Sequence, residues 1–377
     1  MNRNMKSRVL PIVAVSFVGL LLVLVAAEFA FRNVPQLMLP EWQIRHLHKE
    51  MAAFPLQTVA DAEIGFLGQP NQRVAIRTGD FDYVFERDHQ GFVNREPRPA
   101  QADILFLGDS LVEAEGVNID ESFPYLVDRK LPDATVVNLA VTAADPERQF
   151  RIYRRFGRSL RPRIVLAGWY LASDLGGEER FTEWLRDRQG ESYEEFRRHD
   201  ATPPPAKKRR LAPHRWLLRH SWFLAITHER LRRWSGRSRP GPESLRFPNG
   251  DEVLFQPKAL DFALDRGPGA TPRVEESMKS LERLRAQLDA DGAELIVMLI
   301  PSKEELFAPG AHPEGPAEVV ELRRRLRAQG VELLDLYPAL RAAGAQGSPY
   351  FRRDIHLNTF GHRVVADQIV RHLGRKR

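Results

Sequence analysis

Three side chains in this sequence could together carry out nucleophilic acyl chemistry: Ser110, in the run ILFLGDSLVEAEGV, and Asp354 and His356, in RDIHLNTFGHRVVADQI near the C-terminus. A serine hydroxyl is a weak nucleophile until an imidazole takes its proton, and that imidazole needs a partner, usually a carboxylate, to hold the correct tautomer. Asp354 and His356 are two residues apart, so on an extended turn both side chains point the same way. The developing oxyanion needs donors, for which the amides of Ser110 and Ala143 and the hydroxyl of Ser173 are the candidates. Lys303, in MLIPSKEELF, reads either as a solvated lysine or as an anion- and substrate-binding residue. Asp109 and Asn138 fit orienting hydrogen bonds, and His362 fits the start of the last helix better than a catalytic base. Glu113 and Glu115 lack His-rich spacing, so no metal is expected, and no cofactor either.

These residues need a scaffold that brings distant parts of the chain together. Five apolar runs, ILFL (104–107), TVVNL (135–139), RIVLAG (163–168), AELIVML (293–299) and VELLDL (331–336), are separated by helical stretches such as 146–160 and 273–291. Unbroken Val/Ile/Leu runs predict strands covered on both faces, as in a parallel α/β sheet. Ligands of such sheets bind beyond the carboxyl ends of the strands. The residues following the runs include Ser110, Ala143, Ser173, Lys303 and, beyond the fifth, Asp354 and His356, so one edge of one sheet collects the whole constellation.

In order and spacing, ILFLGDSLVEAEGV, VVNLAVTAADPERQ, IVLAGWYLASDL and RDIHLNTFGHRVVADQI resemble the four sequence blocks of the GDSL/SGNH hydrolase superfamily, over roughly Ala102–Gly374. The resemblance implies a three-layer, flavodoxin-like α/β fold with a five-stranded parallel sheet. It implies Ser110 as nucleophile, Asp354 and His356 as the acid–base pair, and Ser110, Ala143 and Ser173 around the oxyanion. Ala143 stands where the family has Gly, and Ser173 where it has Asn. The D-x-H spacing and the Pro-x-Lys in MLIPSKEELF resemble the membrane-anchored, alginate O-acetyltransferase-like branch.

Composition limits the remaining possibilities. With no Cys among 377 residues, disulfide scaffolds and thiolate metal sites are excluded, and 43% apolar residues exclude a disordered polymer. Val9–Ala27 is uncharged, follows Arg3, Lys6 and Arg8, and at about 1.5 Å per residue nearly crosses a bilayer. The expected order is a cytoplasmic tail (1–8), a transmembrane anchor (9–27), and a stalk with accessory short strands (28–100, helical over 30–62). The first SGNH part (101–175), an insertion (176–270) and the second SGNH part (271–377) follow. Val25-Ala26-Ala27 leaves a cleaved signal peptide open as the alternative to an anchor. Either way the bulk of the chain is expected outside the cytoplasm, in the periplasm of a Gram-negative cell and, if the anchor stays, held at the inner membrane.

Between Lys207 and Arg239 eleven Lys and Arg face one acid, a local +10 against a net +6 for the chain. This segment reads as a cap helix with a solvated basic face, or as a contact for anionic lipid or an acidic polymer. Nucleic acid is not an expected partner. The expected function is a serine-dependent esterase or O-acyltransferase acting on ester-linked acyl groups, acetyl first among them, of an envelope or secreted polysaccharide. The residues leave open a non-catalytic polysaccharide- or membrane-binding protein of the same fold.

Overall fold

The computed structural model describes residues 3–34, 37–170, 177–187, 190–201, 218, 221–235, 244–265 and 271–375. Within it the five apolar runs form one parallel sheet: β1 (Ile104–Leu107), β2 (Val136–Asn138), β3 (Ile164–Tyr170), β4 (Glu294–Ile300) and β5 (Glu332–Asp335). Their spatial order is β5-β4-β3-β1-β2, so the chain starts in the interior of the sheet and reverses direction between β1 and β3. All four residues of β1 are buried, and β3 and β4 are buried along all but their first residue, which is why the sequence shows no polar alternation there.

Helices complete a three-layer arrangement. Phe123–Lys130, Tyr337–Ala343 and Thr359–Gly374 form one packed group, and Pro146–Ile152, Thr271–Asp291 and Ala317–Ala328 the other. Helix Thr271–Asp291 stops where Gly292 takes φ +75°, a turn open to glycine at no steric cost, and β4 begins two residues later. Helix Pro146–Ile152 starts with its cap, Asp145, accepting from the Arg148 N–H at 3.0 Å, with Pro at the first helical position.

The chain divides into two units, Leu47–Pro204 with Ser244–Arg377, and Met1–His46 with Pro205–Glu243. In the larger unit two antiparallel pairs precede the sheet, Thr58–Asp61 with Gly65–Gly68 and Arg73–Arg77 with Asp82–Glu86. The expected helical stalk over 30–62 therefore ends early, with helix Pro40–Met51 giving way to a strand at Thr58. The local cause is Asp61, whose carboxylate accepts from the N–H groups of Glu63 and Ile64 and closes a hairpin turn.

The insertion expected over 176–270 is also not one piece. Helices Gly177–Asp187 and Tyr193–Ala201 and the hairpin Ser244–Arg246/Glu252–Leu254 belong to the larger unit, while 205–243 belong to the smaller.

In the smaller unit helix Arg3–Asn33 contains the apolar stretch Val15–Asn33, long and apolar enough to cross a membrane. Near its end Glu28 accepts from the Ser221 hydroxyl at 2.7 Å and from the N–H groups of Trp222 and Phe223, each at 3.0 Å. The carboxylate thus caps helix Trp222–Trp234, which makes up most of the basic segment that lies within the described residues. Phe31 meets Phe223 edge-on beside it. Lys207–Arg210 lie outside the described residues.

Candidate active site

Ser110 follows β1 and begins the short helix Ser110–Glu113, which Asp109 caps by accepting from the Leu111 N–H at 3.0 Å. The run G-D-S is thus a strand end, a cap and a first helical residue, and this geometry leaves the serine half-buried at the carboxyl edge of the sheet. His356 arrives from the other end of the chain, its Nε2 2.8 Å from Ser110 Oγ. Its Nδ1 lies 2.5 Å from Asp354 Oδ1, which also accepts from the His356 backbone N–H at 2.9 Å. Hydroxyl, imidazole and carboxylate form one chain of contacts; when the ring is neutral with its proton on Nδ1, that N–H faces the carboxylate and Nε2 accepts from the serine.

The electrostatics follow from burial and contact. Burial works against charge on both partners, but each offsets it for the other. The Asp354 carboxylate, with Glu115 and Asp109 nearby, carries the imidazole up to about 9. In turn His356 and the Lys303 ammonium hold Asp354 down at about 2. Asp109, buried next to the pair, is pushed up to about 6 chiefly by desolvation.

The turn that carries Asp354 and His356 is gripped from three sides. Lys303 is fully buried and its Nζ donates to the carbonyls of Phe351, Arg352 and Asp354, the last at 2.6 Å. This corrects the expectation of Lys303 as a substrate-binding residue, because its three donors are already directed at backbone oxygens and none faces solvent. Arg353 is fixed by Asp80 of the accessory strands, through both its guanidinium and its N–H, at 2.5 and 2.6 Å. Arg352 pairs with Glu252 at 2.6 Å, and its carbonyl accepts from the Leu254 N–H at 2.7 Å, so the insertion's hairpin braces the same turn.

Behind the turn, Asn358 caps the last helix and donates to the carbonyls of Ser348 and Tyr350. At Gly361 a Cβ would meet the Pro349 carbonyl oxygen at 2.1 Å, which accounts for the glycine of D-x-H-x-N-x-x-G. His362 is buried, accepts from the Phe123 N–H at Nδ1 and stacks on the Phe123 ring, and burial keeps it neutral, down at about 3. It belongs to the helix packing and stands apart from the relay.

Ala143 takes φ +55°, a left-handed conformation that glycine would adopt without strain. Two buried groups that sequence reasoning missed hold this loop. Arg148 donates to the Ala143 carbonyl at 2.6 Å and to the carbonyls of Ile64 and Phe66. Glu113 accepts from the Thr142 N–H at 2.8 Å and pairs with Arg87 at 2.9 Å. Both reach into the accessory strands, which explains why those short strands accompany the sheet. The only signal in the sequence was the presence of ionisable residues beside the motif, and solvated charges give the same signal. Asn138 links β2 to the helix after β1, donating to the Val112 carbonyl. Ser173, the third expected oxyanion donor, lies outside the described residues.

The description "SGNH hydrolase-like domain, acetyltransferase AlgX" matches residues 255–377. Probable alginate O-acetylases AlgJ of Azotobacter vinelandii and Pseudomonas aeruginosa are 26% identical to this chain over 105 and 102 residues, 26% of this chain and 27% and 26% of theirs. The similarity therefore spans about a quarter of the length of these curated relatives. Among solved structures, a lipolytic G-D-S-L family member from Veillonella parvula and an acetyl xylan esterase each align over 72% of this chain and 98% of their own. Both do so at 11% identity with a TM-score of 0.39. The order of the sequence blocks, the parallel sheet that gathers them and the match over the C-terminal third agree with one another: residues 255–377 match an SGNH hydrolase-like domain, and the chain is similar to the AlgJ proteins.

Proposed function

We propose that this protein is a serine-dependent O-acyltransferase or esterase that handles acetyl groups on an extracytoplasmic polysaccharide while anchored in the inner membrane by its N-terminal helix. The observation that carries the reading is the relay Ser110 Oγ–His356 Nε2 at 2.8 Å and His356 Nδ1–Asp354 Oδ1 at 2.5 Å, built from stretches 246 residues apart. In the proposed mechanism His356 takes the Ser110 proton as Oγ attacks the acyl carbonyl. Asp354 stabilises the imidazolium that forms, and the amides of Ser110 and Ala143 are the proposed oxyanion donors. Collapse of the tetrahedral intermediate expels the donor's alcohol with the proton from Nε2 and leaves an acyl group on Ser110. A hydroxyl acceptor then repeats the steps in reverse.

Acetyl and polysaccharide enter through similarity to proteins named for alginate O-acetylation. The membrane-compatible helix and the three preceding basic residues support the anchor and its orientation. A fluorophosphonate probe tests the reading. Ser110 is expected to be labelled in the folded protein, with labelling lost in Ser110→Ala and strongly slowed in His356→Ala. An unlabelled, well-folded wild-type protein would instead make it a binding protein of the same fold.

A further inference from the structure

Nε2 of His356 has a second neighbour besides Ser110. Glu115 Oε2 lies 3.9 Å from the same nitrogen, on the turn that follows the nucleophile's short helix. That turn is tightly specified, since Ala114 takes φ +68° and Gly116 φ +104°. Thr142, at the start of the Ala143 loop, stabilises the Glu115 carboxylate through its side chain, and the Glu115 side chain is 15% exposed. Ser110, Thr142 and Ala143 are likewise half-buried, so these four residues form the solvent-reaching rim of the site. Tyr83, Glu113, Asp354 and His356 are the titratable groups whose charges act with that of Glu115. Burial, with Glu113 and Asp354, raises its carboxyl to about 7 against the pull of His356.

The relay assigns no task to this carboxylate. Asp354 already holds Nδ1, and in the free enzyme Nε2 already faces Ser110. Once Ser110 is acylated, its Oγ no longer carries a proton, and Nε2 becomes free to accept from whatever hydroxyl attacks next. That hydroxyl must lie within hydrogen-bond reach of Nε2 and beside the acyl carbonyl. A carboxylate oxygen 3.9 Å from Nε2 borders this position, on a side chain that is partly exposed at the same rim.

We propose that Glu115 binds and orients the acyl acceptor, water or a sugar hydroxyl, in the second half of the reaction, an inference that rests on the proposed serine mechanism. The acceptor O–H proton passes to Nε2, and its oxygen forms the new bond to the acyl carbon. Ser110 Oγ then leaves and takes the proton back from Nε2. Throughout, Glu115 accepts a hydrogen bond from a second hydrogen of the acceptor, the other proton of water or a neighbouring hydroxyl of the sugar.

The two half-reactions separate the inference from its premise. With p-nitrophenyl acetate as donor, and at a pH above about 9 where the His356 ring is neutral with or without the Glu115 charge, the first turnover of Glu115→Gln is expected to stay within about threefold of wild type. Steady-state turnover should fall about ten- to hundredfold, the range for a lost hydrogen bond to a charged group, and acetyl-Ser110 should accumulate. Hydrolysis without added acceptor and transfer to an added oligosaccharide distinguish water from sugar as the oriented acceptor. Hydroxylamine, a strong nucleophile that needs little orientation, is expected to restore turnover. Glu115→Ala, checked by thermal melting, gives the same test if the Gln variant does not fold. Equal slowing of both half-reactions, or of neither, would overturn the role of Glu115. Absence of any acyl-enzyme in the wild type would remove the serine mechanism itself.

Discussion

His356 sits among more negative charge than a lone catalytic histidine needs. Asp354 at Nδ1, with Glu115 and Asp109 nearby, raises the imidazole to about 9, so at pH 7 the free enzyme holds it mostly protonated. Only the neutral ring can take the serine proton, so kcat/KM for acylation is expected to rise with pH towards a plateau above about 9. In Asp354→Asn the main cause of the raised value is gone, so the midpoint should move to lower pH while the plateau falls by up to about 10⁴-fold. A pH–rate profile whose midpoint does not move would contradict the pairing. That Ser110, Asp354 and His356 come together was legible from the sequence because the order and spacing of their residue types place them at one edge of the sheet. Lys303 was not, because nothing in a sequence distinguishes a lysine that binds a substrate from one that binds three carbonyls.

The Ala143 loop and the Asp354–His356 turn are held mainly by elements outside the sheet. Arg148 joins the Ala143 loop to Ile64 and Phe66, and Arg148→Met would leave these buried carbonyls without their donor. We expect a loss of about 1–3 kcal/mol for each carbonyl left unsatisfied, read from urea unfolding. Gly361→Ala places a methyl group 2.1 Å from the Pro349 oxygen, a backbone atom that cannot swing away, and should cost about 1–3 kcal/mol in the same measurement.

His362 gives the last helix an acid sensitivity. Its pKa is depressed in the folded state to about 3, against an ordinary value of 6.5, so the unfolded chain binds the extra proton. Its stabilising contribution is complete above about 6.5 and is lost as pH falls towards 3. His362→Gln, which keeps an acceptor but cannot be protonated, should flatten that part of the stability–pH curve. An unchanged slope would show that His362 titrates normally. The five strands were legible from their apolar runs, whereas the supports at Asp80, Glu252 and Arg148 were not, since long-range pairings of charged groups leave no periodic trace.

For the molecule as a whole, the sequence's contrasts map onto two units, one built on the apolar helix with part of the basic segment, the other on the sheet. Glu28 capping helix Trp222–Trp234 could not be foreseen, as it joins positions 193 to 195 residues apart. If the anchor is retained, the full-length protein should sediment with membranes through high salt and alkaline carbonate and be released by detergent. Recovery in the soluble fraction, with an N-terminus beginning after Ala27, would identify a cleaved signal peptide instead.

His356 and Asp354 line up on Ser110 Oγ, and trapping the covalent intermediate tests the proposed role of that oxygen most directly. Wild-type protein quenched after brief exposure to p-nitrophenyl acetate should carry one acetyl group, placed on Ser110 by tandem mass spectrometry and missing from His356→Ala over the same interval. Folded wild-type protein without an acetyl group, or with it on another residue, would contradict the account.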